Sequence, residues 1–176
     1  MRGGLKMKKL IVGVMGGGEG ASPEVCELAY KLGGLIADEG WVLLNGGWGV
    51  GVMDASARGA KEHNGLTVGI LPDRNTEEAS AFIDIPILTG MGDGRNFINI
   101  LTSHIVVALP GRSGTISEIA LALKNGKNVI LLNFPLGDLF VEYQKAGIMV
   151  SVSKPEEVIE TIKQICPVQN SEKLDA

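Results

Sequence analysis

Leu10-Ile11-Val12-Gly13-Val14-Met15-Gly16-Gly17-Gly18-Glu19-Gly20-Ala21-Ser22-Pro23-Glu24 is the stretch on which the fold turns. The apolar run from Leu10 to Met15 has no polar face to offer to water. It therefore reads as a strand covered on both sides, the pattern of a parallel sheet. Glycines stop it. Ser22 can then cap a helix, Pro23 fits the first turn, and Glu24 sits beside the positive end of the helix dipole. The spacing predicts a helix from there to about residue 39, closed by Gly40. Strand, glycine turn and helix make the first half of a β-α-β unit.

The same alternation continues outward. Strands are predicted at residues 41–44, 66–71, 83–88, 104–109, 128–133 and 148–152, with helices at about 52–62, 94–103, 115–124, 137–146 and 155–165. Pro72 stops the third strand, residues 73–80 read as a polar loop, and everything after Pro167 reads as a tail. Buried strands alternating with helices imply an α/β, Rossmann-like three-layer α/β/α fold with a mostly parallel sheet. At 176 residues the chain fits one domain, residues 1–176 with a core of about 9–165.

Bulk properties exclude several function classes. A net charge of −4 gives no basic face for nucleic acid. Residues 1–9 look like the charged start of a signal peptide, but the apolar run behind them is too short, and they read as a ragged leader. No stretch approaches the ~20 apolar residues of a membrane span. No membrane partner and a cytoplasmic location are expected. The two cysteines, Cys26 and Cys166, are far apart and fall at apolar helical positions, so both read as small core residues. With His63 and His104 as the only histidines, no metal site is expected.

Many of the 25 glycines stand where strands hand over to helices. Three strand ends carry such turns: Gly16-Gly17-Gly18-Glu19-Gly20-Ala21, Gly46-Gly47-Trp48-Gly49-Val50-Gly51 and Pro110-Gly111-Arg112-Ser113-Gly114-Thr115. Glycine lets backbone N–H groups approach an oxyanion closely, and the following helix adds its positive end. Three turns on one edge point to a phosphate-bearing small molecule beyond the carboxyl ends of the strands. The candidate ligand-holding positions are Gly17, Gly18, Gly46, Gly47 and Gly49, then Asn96, then Gly111, Arg112, Ser113, Gly114 and Thr115.

The first turn formally fits G-x-G-x-x-A, but a dinucleotide site also wants an acid at the end of the second strand. That strand ends Leu44-Asn45-Gly46, and Asp38 and Glu39 lie before it, so NAD is disfavoured. Gly126-Lys127 lacks the rest of a Walker A turn. Arg95 falls in the first turn of a helix, where a cation opposes the dipole and favours a partner elsewhere. Glu118 lies one turn into the helix after the third glycine turn, on the same sheet edge. Local alternatives exist. Thr115-Ile116-Ser117-Glu118 also reads as a capping box, and Arg95 can pair with Asp93. His104 reads as structural, and Trp48 suits either a base or a contact between subunits.

Pro110-Gly111-Arg112-Ser113-Gly114-Thr115-Ile116-Ser117-Glu118 resembles the PGGxGTxxE signature of the Lonely Guy family of cytokinin-activating phosphoribohydrolases, long labelled "possible lysine decarboxylases". Asn45 to Asp54 resembles that family's glycine-rich GGGxxGLMG turn, and Arg95 stands at the distance of its catalytic arginine. The similarity spans about residues 9–165. The resemblance implies a homodimer or dimer-based tetramer, no resident cofactor, and hydrolysis of a nucleoside 5′-monophosphate to free base and ribose 5-phosphate. Glu118 would stabilise the oxocarbenium-like state and orient water, and Arg95 would hold the ligand and offset developing negative charge. Gly111, Ser113, Gly114 and Thr115 would take the phosphate. Two positions differ from the family pattern: Arg112 replaces a glycine, and Asn96 replaces a lysine. This version also resembles the molybdenum cofactor carrier proteins, which would hold a phosphate-bearing pterin without cleaving it. A pyridoxal enzyme would need a Schiff-base lysine, and none lies in the three turns.

Overall fold

A computed structural model describes residues 9–167. Seven strands form one sheet: β1 (Ile11–Met15), β2 (Val42–Asn45), β3 (Leu66–Leu71), β4 (Ile85–Leu88), β5 (Ile105–Ala108), β6 (Val129–Leu132) and β7 (Met149–Val152). Their spatial order is β4-β3-β2-β1-β5-β6-β7, and every pairing is parallel. The sheet is thus wholly parallel where the sequence led only to a mostly parallel one. Register explains the unbroken apolar runs. Val12 and Val14 enter one core cluster and Met15 the other, so successive side chains of one strand are buried on opposite faces.

Helices α1 (Pro23–Asp38), α2 (Gly51–Glu62) and α6 (Pro155–Ile165) cover one face. The other carries α3 (Arg95–Thr102), α4 (Ser113–Lys124) and the short α5 (Val141–Lys145). Ser22 caps α1 by accepting from the Val25 N–H, with Pro23 in the first turn. The α1–α2 contact is close because glycines face it. A Cβ on Gly33 would stand 2.0 Å from the Ser56 carbonyl oxygen, and one on Gly59 would stand 1.9 Å from that of Tyr30.

Some expectations shift. α4 begins at Ser113, two residues early, and α5 is five residues long, entered through Phe140 in the left-handed region (φ 64°). β4 is exposed at all four positions, and its Pro86 is tolerated because it is an edge strand. Cys26 and Cys166 are half-buried, not sealed in the core, although Cys26 packs against it. His104 is structural: its Nδ1 accepts from the Ile11 N–H at 2.9 Å and its backbone N–H donates to the Ile11 carbonyl at 2.9 Å, fastening the start of β5 to β1. Among the described residues, no helix is long and apolar enough to cross a membrane.

Candidate functional site

From β1 the chain turns toward β2, and from β5 it turns the other way toward β6, so the sheet's switch point lies between the carboxyl ends of β1 and β5. Open α/β sheets place ligands there. A cleft of about 440 Å³ occupies the position, within the size range of small-molecule sites. Met15 to Gly18 and Gly46 form its floor, with Pro110 and Gly111 beside them. The starts of α1, α3 and α4 supply its walls through Ser22, Arg95, Asn96, Gly114 and Thr115, with Glu118 one turn further into α4.

The first and third glycine turns are laced together. The Gly17 N–H donates to the Pro110 carbonyl at 3.0 Å. A Cβ on Gly111 would lie 2.1 Å from Thr115 Oγ1 and 3.0 Å from the Gly17 nitrogen, so the turn closes onto α4 only with glycine there. Gly17 also accepts from the Val52 N–H at 2.9 Å, which ties this turn to the start of α2. No side chain caps α4, whose N-cap position is Arg112. The Ile116 N–H reaches the Arg112 carbonyl, but among the described residues those of Ser113, Gly114 and Thr115 find no partner. Free N–H groups at the positive end of a 12-residue helix are a ready anion site.

Arg95 is only 9% exposed, yet among the described residues its guanidinium makes no hydrogen bond and no ion pair. It lies flat on Gly46, where a Cβ would stand 2.1 Å from Nη1 and 2.6 Å from Cζ. Burial pulls its pKa below the usual value, opposed by the nearby carboxylates of Glu118, Asp93 and Asp73. Glu118 is 6% exposed and faces the cleft from the second turn of α4. Burial pushes its carboxyl up to about 7, against the pull of the Asn99 hydrogen bond and the Arg95 charge. A carboxyl of that pKa can exchange a proton near neutral pH.

Of the residues singled out from sequence, Gly17, Gly18, Gly46, Arg95, Asn96, Gly111, Arg112, Gly114, Thr115 and Glu118 line this one cleft. Gly47, Gly49 and Ser113 do not. Gly47 (φ +80°) closes a local turn, its N–H bonded to Asn45 Oδ1 and its carbonyl to the Ser80 N–H, each at 2.8 Å. The Gly49 N–H is occupied by the Glu78 carbonyl, and Gly49 borders a separate small pocket with Trp48. Ser113 is exposed on α4. The capping box is not formed, because Glu118 accepts from Asn99 Nδ2 at 3.2 Å instead of from the helix start. Nor does Asp93 reach ion-pair distance of Arg95, although it lines the cleft. Trp48 donates its Nε1–H to Asp73 at 3.2 Å, which pins the second turn.

Sequence reasoning missed Asn99. It is fully buried, and its Oδ1 is the one sealed side-chain polar atom without a partner among the described residues. The available signal was its place four residues after Arg95, on the same face of α3.

Residues 9–161 match the SLOG cluster4 family. The structure is similar to that of the molybdenum cofactor binding protein of the phototrophic bacterium Rippkaea orientalis. Identity is 51% and the TM-score 0.86, covering 91% of this chain and 99% of that one. Similarity to the molybdenum cofactor carrier protein MCP of Chlamydomonas reinhardtii is 39% identity with a TM-score of 0.85, over 92% and 100% of the two chains. With the cytokinin riboside 5′-monophosphate phosphoribohydrolase of Mycobacterium marinum the identity is 34% over 99 residues, 55% of this chain and 53% of that protein. The chain thus spans about half the length of that relative.

Proposed function

This chain belongs to the SLOG cluster4 family, and we propose that it binds and carries a phosphate-bearing pterin of the molybdenum-cofactor type without cleaving it. The observation that carries the reading is the extent of the likeness. Identity is 51% over 91% of this chain with the cofactor-binding protein and 34% over 55% of it with the phosphoribohydrolase. The cleft supplies the chemistry. Phosphate oxygens would accept from the free N–H groups of Gly114 and Thr115 and from the first glycine turn, with Arg112 at the rim. Molybdenum would be cargo on the ligand.

A second reading is favoured by one observation, the Glu118 carboxyl poised near 7 inside the cleft. Such a group can assist departure of a base from a nucleoside 5′-monophosphate. Two assays separate the readings. Purified protein is loaded with molybdenum cofactor without oxygen, and bound pterin is quantified by its fluorescence after oxidation. In parallel, a panel of nucleoside 5′-monophosphates is checked for free base by chromatography. Retained pterin with no base released supports the carrier. Base release that Glu118→Gln abolishes supports the hydrolase and overturns the first choice. A homodimer or dimer-based tetramer belongs to either reading, with exposed Phe97 and Leu101 together on α3 as its support. Light scattering tests it.

A further inference from the structure

We propose that the cleft takes a ligand with two separate anionic groups, a phosphate at the first turn of α4 and a second oxyanion at Arg95. The inference rests on the phosphate reading above and adds a second binding point to it.

The first argument is the unpaired cation. A guanidinium taken out of water needs anionic or hydrogen-bonding partners, because desolvation without them is costly. Arg95 has none among the described residues, although it is 9% exposed. Its nitrogens are not among the sealed, unsatisfied atoms, so they open onto the cleft they line. The three neighbouring carboxylates, Glu118, Asp93 and Asp73, act on it only through space. Glu118 is moreover a weak counter-charge near neutral pH, since burial favours its protonated form. The cradle is specific as well: the guanidinium occupies the space a side chain at position 46 would fill.

The second argument is separation. Arg95 rests on Gly46, just past the end of β2, whereas α4 starts just past the end of β5. β1 lies between those strands in the sheet. Adjacent strands are about 4.8 Å apart, and Gly111 and Thr115 fold back against Gly17 at the end of β1, so the two donor sets stand between one and two strand spacings apart, roughly 5–10 Å. One phosphate seated at the first turn of α4 therefore leaves the guanidinium free for another group. A nucleoside 5′-monophosphate has a single anionic group and a neutral base. A ligand with a phosphate at one end and an oxyanionic centre at the other matches both points, whether that centre is a carboxylate, a second phosphate or a metal-oxo group.

Tungstate, a tetrahedral dianion, is the probe. Equilibrium dialysis of the full-length protein is expected to find two ions per chain, and anomalous scattering from soaked crystals to place one at α4 and one on Arg95. Arg95→Gln weakens the second site by on the order of tenfold or more, as expected for losing a charge-assisted contact, and leaves the first. Arg95→Lys keeps the charge and retains partial binding, which guards against a folding artefact in the glutamine variant. A single site at α4, a second site insensitive to Arg95→Gln, or binding at crystal-soak concentration only overturns the two-anion inference while the phosphate reading stands. No site at α4 overturns the phosphate reading itself.

Discussion

Glu118→Gln should stabilise the protein at alkaline pH and change it little in acid. The reason lies in the burial of the carboxyl. Glutamine keeps the shape and still offers an oxygen to Asn99 Nδ2, but never has to carry charge into a site that is 6% exposed. The folded-state value is about 7 against an ordinary 4.5. Between those values the folded chain binds more protons than the unfolded one, so stability falls as pH rises through that window. Below pH 4.5 the carboxyl is neutral in both states and the penalty vanishes. Integrating the difference gives about 3 kcal/mol of destabilisation at pH 8 and about 1 kcal/mol or less at pH 5. The Arg95 charge is already included, as one of the influences that keep the value from rising further. At 2–4 °C per kcal/mol for a chain of this size, the melting temperature of the variant should exceed that of the parent by roughly 6–12 °C at pH 8. The gap should shrink to a few degrees at pH 5. Thermal melts of both proteins from pH 5 to 8.5 measure it. An offset independent of pH, or a variant less stable at pH 8, would refute the reasoning.

Gly46→Ala puts a Cβ 2.1 Å from the Arg95 Nη1, which is the far end of a flexible side chain. Stability should move by less than about 1 kcal/mol, while ion binding at Arg95 falls as in Arg95→Gln; dialysis and melts together separate the two effects. Gly111→Ala meets the buried Thr115 side chain at 2.1 Å and the Gly17 nitrogen at 3.0 Å. It should cost about 1–3 kcal/mol and abolish phosphate binding at α4, measured by denaturant unfolding and by titration with phosphate. Gly33→Ala drives a Cβ to 2.0 Å from the Ser56 backbone oxygen, which cannot swing aside. It should destabilise by about 3 kcal/mol without altering which anions bind, because the α1–α2 contact lies away from the cleft.

The central strands were legible because burial on both faces leaves few polar positions to confuse the pattern. β5 and β6 show this best, every residue from Ile105 to Ala108 and from Val129 to Leu132 being buried. The site's edge was legible because glycine is costly at strand ends unless backbones must approach something closely. Distinguishing glycines that line the cleft from those turned toward their own protein was beyond a one-dimensional pattern. Gly47 and Gly49 carry the same motif as Gly46, yet their N–H groups are taken by Asn45 and by Glu78, 29 residues further along in the case of Gly49. Asn99 went unseen for the same reason: its partner Glu118 is 19 residues away, on another helix.

The capping box shows how the competition was decided. A threonine followed three residues later by glutamate is a sound local signal, and a missing cap costs a helix about 1 kcal/mol. The box would have closed the start of α4 and turned Glu118 away from the cleft. Instead α4 starts uncapped, Glu118 is buried against Asn99, and Arg95 opposite it has no partner among the described residues. Each arrangement alone lowers stability. Together they gather free N–H groups, an unpaired guanidinium and a titratable carboxyl around one 440 Å³ space. Stability given up there returns when an anion binds, since a ligand that prefers the folded state stabilises it in proportion to the logarithm of its concentration over Kd. The parent protein should therefore gain more thermal stability from a bis-anionic ligand than Arg95→Gln does, even where the variant is no less stable when free.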